Sequence, residues 1–195
     1  MGKNRLEAFS DGVLAIIITI MVLELKVPHE VTLDALRPVF PVFLSYVLSF
    51  VYVGIYWNNH HHMLHTCQHV TGRVLWSNLH LLFWLSLFPF VTGWMGENHF
   101  AAIPSAVYGA VLFAAAVAYL LLQQAIILAH GPGSQLQTAI GTDRKGKLST
   151  LFYLLGIAAT FVYPWLGQLI YVALAVMWLI PDRRIERSFK RLEGG

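Results

Sequence analysis

The chain has 195 residues, 57% of them hydrophobic and 12% charged, against roughly a quarter charged in soluble domains. That composition excludes a soluble enzyme, a disordered tail and a nucleic-acid module, and the formal charge of +3 does not revive the last, since the basic residues fall between apolar stretches. The one cysteine, Cys67, forbids a disulfide within the chain and carries no signal of redox compartment.

A helix needs roughly 20 mostly apolar residues to cross the hydrocarbon core. The first qualifying segment covers 9–27, and the residues before it are too few and wrongly flanked for a removable signal peptide. The second covers 38–60, the third 74–95 and the fourth 104–129. Between the third and fourth, Glu97 and His99 are expected to be solvated. Glycine and proline mark the breaks at Pro28, Gly93, Gly96, Pro104 and Gly131-Pro132-Gly133. The polar stretch 130–147 is expected to be a mobile loop.

The stretch 148–180 is long for one span and short for two, with Tyr163-Pro164-Trp165 at its centre. Basic residues concentrate in cytoplasmic loops. If the stretch is a hairpin of 148–162 and 164–180, eleven of the 13 Lys and Arg share a side with both termini. As a single span it would move five of them across. The fold class is therefore an all-α integral membrane protein with six transmembrane helices and both termini cytoplasmic. Pro164 opens the sixth helix, where its missing N–H costs nothing. Residues 1–182 form the six-helix unit, and 183–195 a basic tail suited to an anionic lipid surface.

Ionisable groups at a membrane span are costly and need a reason. One cluster, Arg5, Phe9, Ser10 and Asp11, stands at the mouth of the first span. Another begins at Trp57 and runs through Asn58, Asn59, His60, His61 and His62, with His65 and His69 beyond. At 100° per residue, Arg5 and Asp11 lie about 120° apart and cannot pair along one face. Ser10 and Asp11 must then find partners on another helix, and the histidines lie at the same depth. A Ser/Asp-to-His contact between the first two spans is expected.

On the same wheel Arg5, Phe9, Gly12, Ile16, Thr19 or Ile20, and Leu23 form a stripe, basic at the mouth and then almost purely branched aliphatic, with Thr19 its single hydroxyl. Packing against neighbouring spans and lining a hydrophobic constriction that gates ions by dewetting both fit this spacing. Val51–Tyr56 echoes a potassium filter faintly but continues an apolar helix. Two further classes use the histidines. His61, His65 and His69, spaced by four near Cys67, suit a transition-metal transporter, and His60, His80 and His130 suit a b-type haem protein. No motif of an enzyme is present.

Arg5-Leu6-Glu7-Ala8-Phe9-Ser10-Asp11, the aliphatic run to Pro28, Tyr56-Trp57 with His60-His61, and Pro89-Phe90 resemble the prokaryotic members of the transmembrane protein 175 family. The resemblance covers almost the whole chain. It implies a homotetrameric, potassium-permeable cation channel of the prokaryotic plasma membrane, with the first helix of each subunit lining a central pore. Its partners are then a further three copies, the lipid bilayer, and K+ and other monovalent cations; no nucleic acid and no cofactor is implied. By position, Ile16 matches the narrowest hydrophobic ring, Thr19 a hydroxyl layer, and Ile20 and Leu23 further layers of the ion pathway. Arg5, Phe9, Ser10 and Asp11, with Trp57 and either His60 or His61, match a network that supports the pore helix.

Overall fold

The computed structural model describes residues 2–141 and 143–179, and all of the elements in it are helical. Helix α1 is Lys3–Leu23 and α2 is Phe40–His65, preceded by a 3-10 segment at Leu33–Val39. Next come α3 (Gly72–Ser86), α4 (Phe88–Glu97) and α5 (Ala102–His130). A short α6 (Gln135–Ile140) leads to α7 (Arg144–Val162) and α8 (Pro164–Leu179). The sequence-predicted tail 183–195 lies outside the described residues.

Among the described residues four segments are long and apolar enough to cross a membrane: Lys3–Leu23, Leu33–His65, Gly72–Glu97 and Ala102–His130; Pro164–Leu179 is a shorter apolar helix. Several boundaries differ from the sequence reading. The first helix begins six residues before Phe9, where Lys3 and Glu7 pair one turn apart at 3.9 Å. It stops at Leu23, ahead of the charged Glu24 and Lys26 and of Pro28. The second runs on to His65, one turn past the apolar window. The third is two helices, because Pro89 offers no N–H and its ring disfavours a continuous turn. The stretch 130–147, expected to be a loop, holds α6, which Ser134 caps by accepting from Gln137 N at 3.4 Å.

Successive rods alternate in direction, as contacts between their ends establish. Lys3 Nζ donates to the His65 carbonyl at 2.8 Å, joining the start of α1 to the end of α2. The end of α5 meets the same turn through His130. At the opposite end Lys26 pairs with Glu97 at 2.6 Å, and Gln168 of α8 donates to Ser105 of α5 at 2.8 Å. Glu97 is thus paired as well as solvated, and its bond and charge hold the Lys26 ammonium above its ordinary pKa.

α5 is the central post, burying Tyr108, Leu112, Ala115, Ala118 and Leu122 along one side. Polar bonds between helices fix the packing, as expected where lipid offers no hydrophobic drive. Ser49 Oγ lies 2.6 Å from Thr92 Oγ1 and 3.0 Å from the Tyr108 hydroxyl, joining α2, α4 and α5. Tyr52 donates to the Tyr171 carbonyl at 2.6 Å and ties α2 to α8. α2 and α4 touch backbone to backbone at Gly96, where an added Cβ would stand 2.6 Å from Val42 Cα. Gly96→Ala is expected to force these helices apart and cost about 1–3 kcal/mol, read as a lowered thermal midpoint of the purified protein. An unchanged midpoint would mean that α4 shifts freely.

Candidate functional site

α1 has two faces of opposite character. Leu6, Ser10, Leu14, Ile17 and Met21 are buried at successive turns and point into the bundle. On the other side Phe9, Ile16, Ile20 and Leu23 are exposed, Ile16 to 59% and Leu23 to 75%, together with Gly12 and Thr19. The apolar stripe legible in the sequence is therefore left bare by the rest of the chain. The Thr19 hydroxyl donates to the Ala15 carbonyl at 2.9 Å, one turn back, which keeps its lone pairs available on the exposed face.

The buried face is held by a polar relay at its first turns. Ser10 Oγ donates to the Leu6 carbonyl at 2.9 Å and accepts from Asn78 Nδ2 at 3.0 Å. The Asn78 Oδ1 lies 2.6 Å from His60 Nε2. Because the Asn78 amide nitrogen already faces Ser10, its oxygen accepts and the His60 ring nitrogen donates. All three side chains are buried. The link expected between the first and second spans exists, but it passes through α3: Asn78 is the bridge between Ser10 and His60. Of the two histidines left open, His60 is the one inside the relay. His61 is exposed, its ring 6.5 Å from the Trp57 ring and 6.3 Å from that of His65.

Asp11 turns away from this relay and accepts from Trp57 Nε1 at 3.1 Å on the exposed side. Arg5 is exposed and has no side-chain partner among the described residues. The motif thus divides into a buried half that reaches Asn78 and His60, and an exposed half of Arg5, Phe9 and Asp11, of which only Asp11 is held, by Trp57.

The remaining histidines make contacts of their own. Among the described residues no three His, Cys, Asp or Glu side chains are placed to share a metal ion. The three histidines suited to haem are each engaged elsewhere: His60 with Asn78, His80 with Trp84 Nε1 at 2.9 Å, and His130 with the α2–α3 turn. Asn78 itself was missed from sequence. Its signal was available, as a carboxamide within an apolar span.

Apolar helices joined by buried polar bonds define a multi-pass α-helical membrane protein. Residues 5–89 match the family model described as endosomal/lysosomal potassium channel TMEM175. The chain is 56% identical over 190 residues to a potassium channel of Chryseobacterium sp. (strain P1-3), covering 97% of this chain and 99% of that one. It superposes on the crystal structure of a lysosomal potassium-selective channel TMEM175 homolog from Chamaesiphon minutus with a TM-score of 0.79, at 27% identity, over 91% of this chain and 96% of the other. Human endosomal/lysosomal proton channel TMEM175 is 35% identical over 96 residues, 43% of this chain and 19% of that protein. The chain belongs to the TMEM175 family, whose matched members are ion channels and not enzymes.

The relay separates the two histidines experimentally. Asn78→Leu leaves the His60 N–H buried without an acceptor and should cost about 1–3 kcal/mol, whereas His61→Ala, on the surface, should stay within about 0.5 kcal/mol. Thermal midpoints of the two variants side by side decide it, and equal losses would deny His60 its special place.

Proposed function

We propose that the chain is a subunit of a potassium-permeable cation channel, a tetramer in which α1 of each copy faces a common axis. Conduction is passive, through a pore narrowed by Ile16, with Thr19, Ile20 and Leu23 as further layers. The observation that carries this reading is the bare stripe of α1. Its apolar side chains are left largely uncovered by the described residues, and the bundle interior is filled along α5, so an aqueous path needs several copies. Closed rings of identical subunits place one such path on the symmetry axis. An aliphatic ring on that axis closes it by dewetting, and the Thr19 oxygen offers the one polar layer within the stripe. The Chryseobacterium and Chamaesiphon relatives, named as potassium channels, support the choice of ion.

In this reading α1, α2, α3–α4, α5, α7 and α8 are the six spans, and the end where α1 begins is cytoplasmic. Lys3, Arg5, Arg73, Lys145 and Lys147 stand at that end, against Lys26 and Arg37 at the other. The relay of Ser10, Asn78 and His60, with Asp11 and Trp57 on the exposed side, holds the pore helix in orientation; Arg5 and Phe9 stand at its mouth. No cofactor enters, and K+ is the permeant ion.

The test is potassium flux from liposomes containing the purified tetramer, with Ile16→Asn in parallel. A carboxamide ring hydrates the constriction, so flux should rise several-fold while potassium preference over sodium falls. Identical flux and selectivity in a folded tetramer would remove Ile16 from the ion path.

A further inference from the structure

His130 ends α5 and lies against the turn that joins α2 to α3. Its Nδ1 is 2.8 Å from the Ile126 carbonyl, an acceptor only, so Nδ1 carries a proton. Its Nε2 is 2.8 Å from the Gln68 backbone nitrogen and 3.3 Å from that of His69. Both of these are N–H donors, so Nε2 presents a bare lone pair. The partners therefore assign the ring without ambiguity: it is neutral, with its hydrogen on Nδ1. A second proton has one place to go, Nε2, where it would point at two N–H groups.

Titratable and charged groups of several elements surround the ring. The His69 ring stacks on His130 with centroids 6.0 Å apart and planes 10° from parallel. The Cys67 thiol donates to the His69 carbonyl at 3.4 Å, and Lys3 and Glu7 of α1 act electrostatically on that thiol. Arg73 stands in the first turn of α3. The α5–α6 connection brings no charge: the cavity of about 220 Å³ beside the ring is lined by Thr66, Gln68, Ser134, Gln135 and other uncharged residues. It is open to solvent and so admits protons to the ring.

We propose that His130 is a proton-operated catch on the α2–α3 turn. Neutral, it ties α5 to the turn; protonated, it cannot accept from Gln68 and His69, and the turn comes free. The foot of α1 is anchored to this place, since Lys3 donates to the carbonyl of His65, the last residue of α2. Acid on this side of the membrane therefore loosens the foot of α1 and lowers ion flux. The flux part rests on the pore reading above; the catch does not.

Cys67 is a built-in reporter, because it is the only cysteine and lies fully buried in the turn. Its reaction with 4,4′-dithiodipyridine, referred to a free thiol at the same pH, is measured on the purified protein at about pH 7.5 and 5.5, which straddle the ordinary imidazole range. The wild-type reaction should be several-fold faster at the lower pH. His130→Gln keeps an uncharged acceptor for the two amides, so its reaction should stay flat. An equal rise in both proteins, or none in the wild type, overturns the catch. Should the variant not fold, the wild type decides alone. With 15N-labelled histidine, a neutral ring protonated at Nδ1 must be lost at the lower pH together with the gain in thiol reaction; its survival overturns the proposal. In liposomes, acid on this face should reduce wild-type flux and spare His130→Gln; equal responses overturn the coupling. Absence of flux from every sample, with the thiol response intact, would count against the pore reading and leave the catch standing.

Discussion

The bonds between Ser10, Asn78 and His60 are the constraint on which the arrangement of α1 depends. Among the described residues, α1 is the least enclosed of the four segments long and apolar enough to cross a membrane: 28% of its most apolar window is buried, against 44% for α5. A helix with so little packing surface on its own chain cannot be oriented by apolar contact alone, because a rotation exchanges one aliphatic residue for another at small cost. Directional hydrogen bonds remove that freedom. Ser10 meets Asn78 in one rotational setting only, and that setting turns Ile16, Ile20 and Leu23 away from the bundle.

The relay carries little risk because it is complete. Its members saturate one another, from the His60 ring through the Asn78 carboxamide to Ser10 and the Leu6 carbonyl, and among the described residues no buried side-chain nitrogen or oxygen lacks a partner. A half-made network in an apolar interior would destabilise more than an apolar core does. The second polar node, at Ser49, Thr92 and Tyr108, obeys the same rule and locks α2, α4 and α5. Two nodes on different helix sets leave the scaffold around α1 with one packing solution.

Much of this was legible in the amino-acid order, and what was not has identifiable causes. Apolar length located the helical segments, and the spacing of Phe9, Ile16, Ile20 and Leu23 marked the stripe that is bare. Boundaries moved wherever helix and apolar window are different things: Lys3–Ala8 is helical through local bonding without being apolar, and the third segment is apolar across a proline that breaks it. Partner choice was harder. His60 and His61 are adjacent in the chain and 100° apart on the wheel, so only the position of α3 tells them apart. Asn78 is 68 residues from Ser10, and no local pattern pairs them. Lys26 and Glu97, both at segment ends, are 71 residues apart and equally beyond the reach of a local pattern.

The break at Leu87 gives these contacts a joint meaning. α3 grips the beginning of α1 through Asn78, and α4 grips the chain just beyond its end through Glu97. One discontinuous rod thus holds both ends of the exposed helix, as a jointed calliper holds a bar. Were the rod straight and unbroken, the distance between its jaws would be set by helix rise alone. With a break between them, that distance depends also on the angle at Leu87, which the bond from Thr92 of α4 to Ser49 of α2 holds fixed, so the setting of α1 is fixed in turn by a contact it does not itself make.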